Sequence, residues 1–151
     1  MLNEEIIDTM VRKAMDSMNN SYVEHKGMAV GACALASDGT LYGGCSIDNA
    51  SPSLYCEAEI LAIWKAVSEG KREFDAVAVV ADTEQPFVPC GSSLQIMAEF
   101  GVYEVVMANV NGDLETMLLS ELFPSGDMLL GNRKFGNQDE SEESSDEPIF
   151  D

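Results

Sequence analysis

The run Phe74-Asp75-Ala76-Val77-Ala78-Val79-Val80-Ala81 sets the terms for the fold. It is apolar at almost every position and rich in valine, which reads as a buried strand. Successive side chains of a strand point to opposite faces of its sheet. A strand apolar on both faces needs cover on both, as in a sheet layered between helices.

The flanking segments supply that cover. Asn3 before Glu4-Glu5 reads as a helix start, with acids in the first turn favoured by the helix dipole. Ile7, Val11, Ala14 and Met18 continue an apolar seam at helical spacing, with Met10 and Met15 beside it, and Asn19-Asn20 ends it. Residues 28–36 and 41–47 form a hairpin about the Asp38-Gly39 turn, in strands unusually rich in Gly and Ala. A loop over 48–53 leads to a helix over 56–69 closed by Gly70. After the buried strand, a loop bounded by Pro86 and Pro89 leads to a short helix from Gly91 to Phe100. A strand over 103–108, a turn at Asn111-Gly112, and a strand passing into a short helix over 116–123 complete the order. The expectation is an α/β protein: a three-layer α/β/α domain with a central mixed sheet.

A length of 151 residues fits one such domain. Its expected extent is 1–135, followed by an acidic disordered tail over 136–151 without apolar periodicity. Twenty-seven acids against eight bases give a net charge of −19. Phosphate backbones are repelled by such a chain, and the basic pairs Arg12-Lys13, Lys71-Arg72 and Arg133-Lys134 form no concentrated patch, so nucleic acid is excluded as a partner. No apolar run approaches the ~20 residues that span a bilayer, which excludes a membrane role. The N-terminal residues carry no basic and apolar leader, and the expected location is cytoplasmic. Cys33, Cys45, Cys56 and Cys90 contain no C-x-x-C pair and offer no closed structural zinc site.

Two segments concentrate reactive side chains at helix starts: Tyr55-Cys56-Glu57-Ala58-Glu59 and Pro89-Cys90-Gly91-Ser92-Ser93. If both helices pack on one face of the sheet, their N-termini converge and favour thiolates and carboxylates there. Ordinary helix capping is the plainer account of the same residues. His25 lies in a polar run and reads as a solvated loop residue. Trp64, between apolar helix positions, suits core or subunit-interface packing.

Over roughly residues 10–125 the chain resembles the cytidine deaminase family. Matching positions are Tyr22, Val30-Gly31-Ala32, Asp38-Gly39, Gly44-Cys45, Asn49-Ala50, Ala58-Glu59 and Ala62-Ile63. Lys65-Ala66-Val67-Ser68-Glu69-Gly70, Pro89-Cys90-Gly91, Gln95 and Glu99-Phe100 extend the match in family order. The resemblance implies a zinc-activated water and a carboxylate that shuttles protons between that water and a pyrimidine ring. It implies Glu59 as that catalytic carboxylate. The metal positions it implies are Glu57, Cys90 and Ser93, where the family carries Cys or His, Cys and Cys. Cys56, one residue early, is a second thiolate candidate. The Arg that in the family follows the catalytic Glu is Ile60 here. The substrate-binding positions it implies are Met28, Ser46 and Asp48, each different from the family residue.

Three readings follow. The first is a diverged family member without a normal zinc site, binding a nucleoside or serving as a regulatory or structural subunit; no cofactor is then expected. The second is an active zinc-dependent deaminase of cytidine-like pyrimidine nucleosides with an unusual ligand set. The third is a metal-free nucleoside hydrolase using Glu57 and Glu59. Under each, the resemblance implies a homodimer or homotetramer, or a mixed oligomer with an active family member.

Overall fold

The computed structural model describes residues 1–126 and 128–130; the expected tail over 136–151, and the last part of the expected 1–135 domain, lie outside them. Helix α1 (Glu4–Met18) begins where Asn3 accepts the Ile6 N–H at 2.9 Å. Strands β1 (Val30–Ala36) and β2 (Leu41–Cys45) form the hairpin, turning at Gly39 with φ of 91°. A 3₁₀ turn over Pro52–Leu54 precedes α2 (Ala58–Ser68). Then come β3 (Phe74–Ala81), α3 (Gly91–Glu99), β4 (Glu104–Asn109), β5 (Leu114–Leu118) and α4 (Leu119–Leu122).

The sheet has five strands in the order β2-β1-β3-β4-β5. β3 and β4 are parallel and joined by the α3 crossover, while the β1–β2, β1–β3 and β4–β5 pairs are antiparallel. The expected mixed sheet is therefore present. Its two faces follow from the alternation in β3. Ala76, Ala78 and Val80 join Met10 and Ala14 of α1 in one core, and Val77, Val79 and Ala81 join residues of α2 and α3 in the other. On α1 the seam centres on Met10 and Ala14, both fully buried, with Ile7, Val11 and Met15 as half-buried flanks.

The glycines that weaken the hairpin by composition are required by close packing. A Cβ on Gly31 would lie 1.8 Å from the Ala14 carbonyl oxygen, so α1 fits only over a bare backbone. On the opposite face, a Cβ on Gly44 would lie 2.3 Å from the Ala58 carbonyl oxygen and 2.7 Å from the Ala62 nitrogen. This contact seats the first turn of α2 directly on β2 and fixes the height of the residues just before it. Trp64 is 51% exposed, which removes the core role considered for it and leaves a surface one.

Candidate active site

The helices α2 and α3 lie on the same sheet face, and their N-termini meet beyond the C-terminal end of β3. Glu57 is the N-cap residue of α2 and Cys90 that of α3, yet neither side chain makes a capping hydrogen bond. They face each other instead. The Cys90 thiol donates to Glu57 Oε1 at 3.6 Å, and its sulfur lies 3.6 Å from Ser93 Oγ and 3.1 Å from Ser92 Oγ. Ordinary capping therefore does not account for these residues. Ser92 joins the cluster unannounced by the sequence, where only its place in the Pro89–Ser93 run marks it.

Glu59 sits in the first turn of α2, fully buried, and neither carboxylate oxygen has a hydrogen-bond partner. Burial pushes its carboxyl up to about 7; the neighbouring Ser93 hydroxyl and its own backbone N–H pull the other way without overcoming that burial. Ser93 thus stands between Glu59 and Cys90. At pH 7 the buried acid is poised between its two protonation states, where a proton carrier works best.

Cys56 takes a different part. Its backbone pairs both ways with Ile47, at 2.9 and 3.0 Å, and its thiol donates to the Glu57 carbonyl oxygen. Burial, with Glu57, Glu59 and Cys45 nearby, keeps that thiol above its ordinary range, which argues against Cys56 as the substitute thiolate. Cys33 is buried beneath α1, and its thiol is pushed up to about 12 by that burial.

The three substrate positions also take up other work. Ser46 is fully buried; its hydroxyl accepts the Val30 N–H at 3.0 Å and donates to the Met28 carbonyl at 2.7 Å. Asp48 accepts N–H groups from His25 at 2.8 Å, Gly27 at 3.1 Å and Asn49 at 2.8 Å. Burial opposes its charge, but the N–H groups of Gly27, Asn49 and His25 outweigh it and hold the carboxyl below its ordinary value. Both side chains therefore anchor the 25–30 segment. Met28 is half exposed, and the Tyr55 hydroxyl donates to its carbonyl at 3.4 Å. A cavity of about 570 Å³ opens beside them, lined among others by His25, Lys26, Asp48, Asn49 and Tyr55. Tyr55, like Ser92, is marked in the sequence only by its place in one of the two reactive runs. A separate cavity of about 390 Å³, near Phe74 and Glu104, lies at the other end of β3 and touches none of these groups.

A mixed sheet with the reactive N-termini of two helices meeting on one face defines an α/β protein with a candidate active site at one end of its sheet. The family profile described as "Cytidine and deoxycytidylate deaminase zinc-binding region" matches residues 4–109. Cytidine deaminase from Sporosarcina psychrophila is 42% identical over 120 residues, covering 78% of this chain and 88% of that one. The enzyme of the same name from Halalkalibacterium halodurans is 40% identical over 117 residues, covering 76% and 89%. The solved structure of cytidine deaminase from Burkholderia pseudomallei superposes with a TM-score of 0.75 at 32% identity, covering 82% of this chain and 98% of that one. The chain belongs to the cytidine and deoxycytidylate deaminase family.

The zinc named in the family description meets a mixed reception. In position the side chains suit it: donors about 2.0–2.3 Å from a tetrahedral zinc are roughly 3.3–3.8 Å apart, and Cys90 is 3.6 Å from both Glu57 and Ser93. In chemistry they do not. Zinc sites draw on thiolate, imidazole and carboxylate, and their ligands bind deprotonated. Ser93 offers a neutral hydroxyl, and among the described residues no group of three or more His, Cys, Asp and Glu side chains is placed to hold a metal ion. The residues present do not fit a three-ligand zinc site.

Proposed function

We propose that the chain is a working hydrolytic deaminase acting on a cytidine-like pyrimidine nucleoside, with Glu59 carrying protons at the ring. The observation that supports this most is the state of Glu59. A buried carboxylate with no partner is costly to keep, and a carboxyl raised toward neutrality beside other reactive groups is a mark of acid–base work. Beside it lie a thiol, a second carboxylate and two hydroxyls, all at the mouth of two helix N-termini. The relatives named cytidine deaminase at 40–42% identity support the same reading.

In this proposal Glu59 protonates a ring nitrogen as water attacks the amino-bearing carbon. The proton that Glu57 takes from the water passes to the amino group as it leaves as ammonia, and Glu59 is reprotonated by the new hydroxyl as the carbonyl forms. Tyr55 and the 25–28 segment border the substrate. The donor set supports less than stoichiometric zinc, so no step is assigned to a metal. A homodimer or homotetramer belongs to the proposal as well, since Trp64 and Leu54 are 51% and 65% exposed on the single chain.

The test is conversion of cytidine, deoxycytidine and deoxycytidylate to the uracil product, followed with ammonia release. Turnover by the unmodified protein that Glu59→Gln abolishes, with the fold intact, is the expected result. Absence of product from all three substrates overturns the reading. A second reading, a nucleoside-binding subunit without turnover, is favoured by the internal engagement of Ser46 and Asp48. It predicts nucleoside binding without product.

A further inference from the structure

The three-position cluster poses a question that the family's chemistry leaves open: what a lone thiol does where the side chains around it do not complete a zinc site. Cys90 is exposed at the N-terminus of a nine-residue helix, where aligned N–H groups favour an anion. Its proton points at a carboxylate, Glu57 Oε1, 3.6 Å away. Behind it lies the fully buried Glu59, whose carboxylate oxygens have no hydrogen-bond partner and whose neighbour is Ser93, the hydroxyl of which is 3.6 Å from the sulfur. A nucleophile beside a base, with an acid on the far side, is the arrangement that covalent catalysis requires.

We propose that Cys90 is a catalytic nucleophile that attacks the amino-bearing ring carbon of the pyrimidine, with Glu57 as its base and Glu59 as the acid. The inference rests on the deaminase reading for its substrate class. The thiol proton passes to Glu57 as the sulfur–carbon bond forms, and the ring nitrogen takes the proton of Glu59. Glu57 returns its proton to the amino group, the carbon–nitrogen bond breaks and ammonia departs. The ring nitrogen gives its proton back to Glu59, leaving the ring joined to Cys90 through sulfur. Water then adds to the same carbon, with one proton going to Glu57 while Glu59 again protonates the ring nitrogen. The carbon–sulfur bond breaks, Glu57 returns its proton to the sulfur, and the new hydroxyl yields its proton to Glu59 as the carbonyl forms. Cytidine and water become uridine and ammonia, and every group on the protein regains its starting state.

The probe is a pyrimidine ribonucleoside carrying chlorine or methylthio in place of the amino group, offered to the protein as purified and after chelation. Intact mass and peptide mapping should find one ribosylpyrimidinone adduct on Cys90 in both samples. It should form at least tenfold faster than labelling of Cys45 or Cys56, vanish in Cys90→Ser, and slow at least tenfold in Glu57→Gln. No adduct, labelling spread equally over the thiols, or a rate unchanged by Glu57→Gln overturns the proposal. Cytidine turnover measured on the same samples separates the two readings. Turnover that needs added metal and leaves no adduct overturns the nucleophile and keeps the deaminase. An adduct meeting the three criteria without turnover of any substrate overturns the deaminase and the catalytic cycle with it, leaving Cys90 a reactive thiol.

Discussion

The thiol of Cys90 lies 3.6 Å from a carboxylate oxygen of Glu57, across the gap between the first turns of two helices that are 33 positions apart at these residues. That contact places the chemistry at one end of the sheet. Ser93, Ser92 and Glu59 gather round it because α2 and α3 pack on the same sheet face.

Restoring a three-thiolate set tests the donor argument directly. Unmodified protein purified without added zinc should contain well under one zinc per chain. Glu57→Cys with Ser93→Cys should bring the content to one, since such sites have apparent binding energies on the order of 10 kcal/mol. Elemental analysis reads both values. A double variant that stays metal-free while folded would show that the two side chains do not share a site with Cys90.

The buried acid should leave its mark on stability against pH. Glu59 has its carboxyl raised from 4.5 to about 7 in the folded chain. Below 4.5 both folded and unfolded forms are protonated, and the group imposes no penalty. As pH rises from 4.5 to 7 the unfolded form ionises first, so stability falls, by on the order of 3 kcal/mol, and then levels off. Denaturant titrations of Glu59→Gln should lack this fall. Parallel pH profiles for the two proteins would contradict it.

Ser46 and Asp48 should behave as anchors of the 25–30 segment. Ser46→Ala leaves the buried Val30 N–H without its acceptor and should cost about 1–3 kcal/mol. Asp48→Ala should lower the melting temperature by several degrees and speed amide exchange at His25 and Gly27. Variants that keep full stability and lose only substrate affinity would return these residues to a contact role.

Gly44→Ala should disturb the site from a distance. The added methyl group meets backbone atoms of Ala58 and Ala62 rather than a movable side chain. Overpacking of this kind costs about 1–3 kcal/mol, and the first turn of α2 must shift with Glu57 and Glu59 on it. Activity should therefore fall further than the loss of folded protein accounts for.

The layers were legible because β3 is apolar on both faces, and the turns because Gly39, Gly70, Gly101 and Gly112 all adopt positive φ. The candidate metal and catalytic positions came from the family resemblance, and the structure brings Cys90 within 3.6 Å of both Glu57 and Ser93. Two features were not legible. The engagement of Ser46 and Asp48 depends on backbone N–H groups, which a sequence does not display. The α1 seam centres on Met10 and Ala14 rather than beside Met10, and the close approach of Ala14 to Gly31 depends on a missing Cβ that hydrophobic spacing along the helix does not show.

Glu57 and Cys90 hold N-cap positions without capping through their side chains. Folding therefore asks almost nothing of their identity: the helices start where the backbone and the packing under Gly44 start them. A lineage can exchange a sulfur for an oxygen at either position and keep its architecture whole. Reactive groups placed this way are interchangeable fittings on a fixed frame, and new reactions can be tried there at little risk to the protein that carries them.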